Sequence, residues 1–309
     1  MKSLMYHYVR SYNKDSPNFR FLNIKNFKKQ LDYLDSNYGF VEFNEWEKFI
    51  YEGTMPAQKG KVILTFDDAT SCHYDYVYRE LSKRKLWGIF YVATDPFTKG
   101  NMLNVHKIHS LCGTFDGLDL YNATQKIVSL DMLHTERKDE LERQTYLGQT
   151  NNKGVTDFKR YLNYFIKETH KSFVIDQVAN LFNFKFNPKD FYTSEKNLKI
   201  MSESNMIIGS HSESHPLMSS LSYKDQENQI KNSFEYIEER FSPAMKTYCH
   251  SYGGAQSYNA DTINILNDSN VDFSFSLGSK EIVKNDLDEK NIQSLPRFDC
   301  NEFIHGKAD

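Results

Sequence analysis

Two short segments, far apart in the chain, hold the residues best suited to chemistry. Thr65-Phe66-Asp67-Asp68 places two adjacent carboxylates at the end of an apolar run, Val62-Ile63-Leu64-Thr65-Phe66, that reads as a buried strand. His211-Ser212-Glu213-Ser214-His215 places two imidazoles four residues apart, directly after a second apolar run, Met206-Ile207-Ile208-Gly209. One carboxylate with two imidazoles suits a divalent metal and leaves positions open for water and substrate. The spare carboxylate can then take a proton from that water. The chemistry expected is metal-assisted hydrolysis. Because neighbouring side chains on a strand point to opposite faces, Asp67 and Asp68 can serve one site only where the strand ends and the backbone turns. Carboxyl ends of parallel strands are where ligands bind. The spacing of the two histidines predicts that both lie on one side of a helical turn, with Glu213 pointing elsewhere and Pro216 ending the segment. Each pattern alone is common, as a surface aspartate beside a helix cap or as an idle His-x-x-x-His. Their joint occurrence at two strand ends is far more specific.

The elements that must position these groups alternate between strand-like and helix-like, which predicts an α/β fold with a mostly parallel sheet. Strands are expected over 4–9, 62–66, 88–92, 206–209, 246–249 and 271–277. Phe27, Leu31 and Leu34 at helical spacing follow Asn23 as a cap, and helices are expected over 76–85 and 260–266. Ser222 should cap a long amphipathic helix over 223–241, with Ile230, Phe234 and Ile237 as its apolar stripe. From about 101 to 199 the strand signal fades and helical periodicity dominates, as in Phe158, Leu162 and Phe165. This stretch is read as a helical insertion into one catalytic domain spanning 1–309, with an exposed turn over Gly148–Gly154.

A formal net charge of −3 gives no electrostatic reason to expect nucleic acid as a partner. The four cysteines (Cys72, Cys112, Cys249 and Cys300) are scattered without a Cys-x-x-Cys pair, as in reduced proteins. The segment Met1–Tyr8 has no signal-peptide character, and no run approaches the roughly 18 apolar residues that span a bilayer. The expectation is a cytoplasmic protein without a transmembrane segment, with peripheral attachment to a membrane left open. The 20 Tyr and 23 Phe serve a core or a sugar-stacking surface equally well.

With these motifs the chain resembles the polysaccharide deacetylase family, the NodB-homology group of carbohydrate esterases (family 4). Thr65-Phe66-Asp67-Asp68 and His211-Ser212-x-x-His215 are similar to its first two motifs. Ser251-Tyr252-Gly253-Gly254 with Asn259 is similar to its Pro-Tyr-Gly…Asn segment. Leu295-Pro296-Arg297-Phe298-Asp299 and the opening Met5-Tyr6-His7 are similar to segments in members from surface-polysaccharide gene clusters. The resemblance implies a distorted (β/α) barrel of the NodB type and a divalent metal, zinc above all, with Co²⁺, Ni²⁺ or Fe²⁺ also suited to the donor set. It implies removal of an acetyl group from an N-acetylated amino sugar in a surface-glycan precursor or oligosaccharide. Asp67 matches the catalytic base, Asp68, His211 and His215 the metal ligands, and the backbone N–H of Tyr252 the oxyanion donor. The rival readings are a sugar deformylase, an O-acetyl esterase, or a glycan-binding barrel without catalysis.

The sequence departs from the family pattern in places. Ala69 stands where glycine usually follows Asp-Asp, and alanine disfavours positive φ. His250-Ser251 replaces the residue and proline before the tyrosine. The Leu-x-His segment that normally supplies the acid has no counterpart, since Leu277-Gly278-Ser279 lacks histidine. The acid must come from elsewhere: His7 is the first candidate, at the end of the first expected strand, with His109, His250 and His305 also available. Arg297 can orient Asp67 or bind an anionic substrate group, with Asp299 as partner. His73 and His109 are further candidates for lining the substrate pocket.

Overall fold

The structure is a computed structural model that describes residues 1–134, 151–288 and 291–308. Seven parallel strands close into a barrel: β1 (Lys2–Tyr6), β4 (Val62–Asp67), β5 (Ile89–Val92), β6 (Ile207–Ser210), β7 (Thr247–Cys249), β8 (Phe273–Leu277) and β9 (Leu295–Asp299), which pairs back onto β1. A small parallel pair, β2 (Val9–Arg10) with β3 (Leu22–Asn23), stands apart from it. The first expected strand is therefore two, broken at His7. The α/β barrel that the resemblance implied is the observed fold.

Strand β4 is buried along its whole length, as parallel strands covered on both faces must be. Its two faces do different work. Val62, Leu64 and Phe66 pack outward with Phe90, Val92 and Ile208 against helix residues such as Phe27, Leu31 and Leu81. Ile63 turns inward with Tyr91, Cys249, Phe273, Phe275 and Leu295. Helix Phe43–Glu52 fills the amino-terminal end of this interior with Trp46, which is fully buried and meets Phe273 edge-on at 5.1 Å between ring centroids. Gly209 makes room inside the barrel: a Cβ there would lie 2.6 Å from the Tyr91 ring and 2.8 Å from Thr247 Cγ2. With one end closed by aromatic packing, the carboxyl end is the one at which polar side chains collect.

The outer helices begin where side chains can satisfy their free N–H groups. Asn23 accepts from Lys25 N ahead of helix Ile24–Asn37, Ser222 accepts from Asp225 N ahead of helix Tyr223–Phe241, and Asn259 accepts from Thr262 N ahead of helix Ala260–Asp268. The helix expected over 76–85 is in fact a π-helical turn, His73–Tyr78, running into a short α-helix, Arg79–Arg84.

The chain divides into two compact units. The barrel unit holds residues 1–11, 21–100 and 189–309, and the second unit holds 12–20 and 101–188. The second unit is helical where described, with helices Asn104–Thr114, Gly117–Ile127, Lys153–Arg160 and Glu168–Leu181 around its own core of Ile108, Leu111, Leu120, Phe158, Leu162, Val174 and Val178. Residues 189–199, which the sequence reading assigned to the insertion, fall in the barrel unit, and 12–20 join the helical one. Of the turn expected over Gly148–Gly154, residues 148–150 lie outside the described residues. Asn152, within it, caps helix Lys153–Arg160.

Candidate metal centre

The ladders of the barrel deliver the ligands. Asp68 N donates to Tyr91 O (3.0 Å) and His211 N to Val92 O (2.9 Å), so both residues lie one step beyond their strands in continued register. The chain then turns sharply: Asp68 has φ 84° and Ala69 φ 48°. Ala69 thus adopts the left-handed backbone expected of a glycine, at a cost of about 1–2 kcal/mol. The turn is held from outside by Thr193 N donating to Ala69 O (3.0 Å) and by a bridge between Thr70 and Tyr192.

His211 and His215 do not sit on a helical turn, contrary to the reading from spacing. Ser212 (φ 65°) and His215 (φ 57°) bend the segment into a loop instead. The reason is local hydrogen bonding that competes with helix formation. Ser212 Oγ accepts from His215 N (3.0 Å), and Gln229 Oε1 accepts from Glu213 N (3.2 Å) and Ser214 N (2.9 Å). The loop still brings the imidazoles together, with ring centroids 4.7 Å apart. Glu213 turns away, as expected, and pairs with Lys99 at 2.7 Å.

His211 Nδ1 lies 2.8 Å from the carbonyl oxygen of Cys249, which can only accept. The ring proton is therefore on Nδ1, and the Nε2 lone pair faces Asp68 Oδ1 at 3.6 Å. His215 Nε2 is 3.9 Å from the same oxygen. Asp68, His211 and His215 are all buried, and their ligand atoms lie within 4.8 Å of one another. This donor set, with one imidazole already oriented by a backbone carbonyl, fits a divalent metal.

Beside it stands the second carboxylate. Asp67 receives a two-pronged ion pair from Arg297, Nη1 to Oδ1 and Nη2 to Oδ2, both 2.8 Å. Arg297 also donates to Thr65 Oγ1 (3.0 Å) and Cys249 Sγ (2.9 Å). Burial pushes the Asp67 carboxyl up, but the guanidinium charge and its hydrogen bonds outweigh that and hold it below the usual carboxylate range. Burial raises the Cys249 thiol well above its ordinary value, which makes it a neutral neighbour and not a nucleophile. Asp67, His211 and Cys249 form a second metal-like grouping, but a cation there would lie against the Arg297 guanidinium.

Several expected site residues are placed differently from the sequence reading. Arg297 is 1 % exposed and spent on Asp67, Thr65 and Cys249, not on substrate. The strand's alternation points it into the barrel, two residues from Asp299, which caps the turn at 300–302 by accepting from Asn301 N. His73 is fully buried between the Phe66 and Phe90 rings, and its Nε2 donates to the His7 carbonyl (2.6 Å), so it lines no pocket. His250 is buried, stacked on Tyr258 at 3.9 Å and bonded to Gln293 O at 2.7 Å; burial brings it down to about 4. His305 lies exposed near the end of the chain, and His109 lies half-buried on helix Asn104–Thr114 of the helical unit. His7 is at the site: just past β1, its side chain is 39 % exposed and its Nε2 is 4.0 Å from Asp67 Oδ2.

Tyr252 (φ 63°) and Gly253 (φ 68°) form a tight turn after β7 despite the missing proline. Gly253 N donates to His250 O, and Leu277 N to Gly253 O (2.8 Å). The Tyr252 ring packs on His215 with centroids 4.9 Å apart. Sequence reasoning missed Thr65, Cys249 and Gln229. Cys249 was legible only as an inward position of an apolar strand, and nothing in the pattern marked Gln229 as the loop's acceptor.

Residues 164–274 match the family model for polysaccharide deacetylase, a range that contains His211, His215 and the Tyr252 turn but not the Asp67-Asp68 pair. No curated protein matches the chain in sequence. The chain is similar in fold to the deacetylase PplD of Streptococcus pyogenes (TM-score 0.59, 16% identity, covering 97% of this chain and 91% of that one). It is also similar to IcaB of Ammonifex degensii (TM-score 0.57, 16% identity, 96% and 90%). A third similar structure is a de-N-acetylase of Aggregatibacter actinomycetemcomitans (TM-score 0.53, 13% identity, 96% and 93%). The family to which the motifs pointed is the one whose model matches residues 164–274, and the barrel is the fold of these similar structures.

Proposed function

We propose that this chain hydrolyses the N-acetyl group of an amino sugar in a surface-glycan precursor or oligosaccharide, in the cytoplasm, using a divalent metal of which zinc is the first choice. The observation that carries the reading is the buried Asp68–His211–His215 cluster beside an arginine-held carboxylate at the open end of the barrel. Bound there, the metal would polarise the acyl carbonyl and lower the pKa of a water. The chain's own residues supply the rest. Asp67, kept ionised by Arg297, takes the proton from the attacking water. The Tyr252 N–H, on the turn against His215, is the donor for the oxygen that becomes negative. An amide nitrogen is a poor leaving group until protonated, and His7, 4.0 Å from Asp67 and open to the mouth, delivers that proton. Support also comes from the similar structures, one a deacetylase in complex with acetate and one a de-N-acetylase.

The test is metal content of purified protein, wild type beside His211→Ala, coupled to acetate release from N-acetylated sugar nucleotides and oligosaccharides. The expected result is about one metal per chain, lost in the variant together with acetate release. Formate release, or hydrolysis of O-acetyl esters alone, would replace the acyl group in this reading. No metal under metal-replete conditions would remove its basis and leave a glycan-binding barrel.

A further inference from the structure

We infer that His73 is a positioning residue for proton delivery, acting through the backbone of His7. This rests on the reading of His7 as the acid. The strand β1 ends at Tyr6, so the His7 carbonyl has left the barrel ladder. His73 Nε2 meets that carbonyl at 2.6 Å. A carbonyl oxygen only accepts, so Nε2 carries the ring proton. His73 Nδ1 then bears a bare lone pair, and it has no hydrogen-bond partner among the described residues.

That is a costly way to fill space. The ring is fully buried, with Phe66 and Phe90 each 5.8 Å away edge-on. A phenyl group would complete such a cluster without leaving a buried nitrogen unpaired. What the imidazole adds is one donor aimed at one acceptor. Burial takes its pKa down to about 4, so that donor stays neutral and in one tautomer at neutral pH. The donor arises from the π-helical turn His73–Tyr78, which opens just after the Asp67-Asp68 turn and is anchored by His73 N donating to Thr70 O (2.9 Å). Widened turns of this kind are frequent at functional sites. The clamp holds the peptide that carries the His7 side chain, and so sets where the exposed imidazole stands relative to Asp67.

The experiment compares metal-loaded wild type, His7→Ala, His73→Phe, His73→Gln and the double variant His7→Ala/His73→Phe on a series of acetylated substrates graded by leaving group, from an N-acetyl amino sugar to an activated acetyl ester. Loss of an acid hurts poor leaving groups and spares good ones, whereas general loosening of the fold hurts all alike. His7→Ala should lose about 100-fold in kcat on the amide and little on the ester. His73→Phe should lose about tenfold on the amide, keep KM within about twofold and spare the ester. His73→Gln, whose amide N–H can reach the same carbonyl, should recover most of the loss. The double variant should be no slower than His7→Ala. A flat profile in His7→Ala overturns the acid assignment and the inference with it. A steep His7→Ala beside a flat or undiminished His73→Phe overturns the inference alone. Should His73→Phe not fold, His73→Asn replaces it under the same criterion, because its shorter amide falls short of the His7 carbonyl.

Discussion

Replacing Arg297 by methionine leaves Asp67 as a buried carboxylate without its cation. Both hydrogen bonds of the pair are 2.8 Å and both side chains are at most 2 % exposed, so solvent does not take over the arginine's role. Breaking a buried pair from one side costs about 3–5 kcal/mol. With a urea slope near 3 kcal/mol/M, that is a midpoint shift of about 1–1.7 M. The assay is urea unfolding of chelator-stripped protein, which removes any contribution from metal binding, for wild type, Arg297→Met, Asp67→Asn and the double variant. The double variant should recover more than half of the Arg297→Met loss, since an uncharged amide no longer needs a cation. A pH arm follows. In the wild type the folded Asp67 is held below its unfolded value of about 3.9. Its contribution is therefore present above that pH and is lost as pH falls through the lower folded value. In Arg297→Met burial loses its strongest opponent, the folded pKa rises, and the same carboxylate destabilises at neutral pH and relaxes as acid protonates it. The acid limb of the rate profile should move to higher pH with it. A loss under 1 kcal/mol, or strictly additive single variants, would refute the reasoning.

The remaining predictions address the loop, the barrel interior and the ligands. Gln229→Ala removes the acceptor of Glu213 N and Ser214 N, and should weaken metal affinity about 10–100-fold with little change in unfolding midpoint; competition against a chelator measures it. Gly209→Ala places a methyl within 2.6 Å of the Tyr91 ring and should cost about 1–3 kcal/mol of stability by denaturant unfolding. Asp68→Asn should lose bound metal by elemental analysis while leaving the Asp67–Arg297 pair and the fold intact, as judged by circular dichroism.

Much of this protein is written in local pattern. The apolar run 62–66, the caps Asn23 and Ser222, and the helical stripe over 223–241 follow from side-chain period and hydrogen-bonding chemistry, which act over a few residues. The two candidate metal-site motifs were legible for the same reason: their residue types suit that chemistry wherever the chain places them. What the sequence alone could not decide was set by distant contacts. Spacing suggested a helical turn for His211 and His215, but Gln229 on a neighbouring helix and Ser212 made it a loop. Arg297 read equally as a substrate group or an orienting one until barrel closure put β9 beside β1 and carried its guanidinium inward to Asp67. His73 read as a pocket residue because it follows the carboxylates, and only the π-helical turn showed it clamped to His7. Residue type and period determine which groups can do chemistry and which faces are apolar. Which carboxylate is paired, which histidine is exposed and which is buried depend on strand register and barrel closure, because those set distances between residues that no local spacing relates.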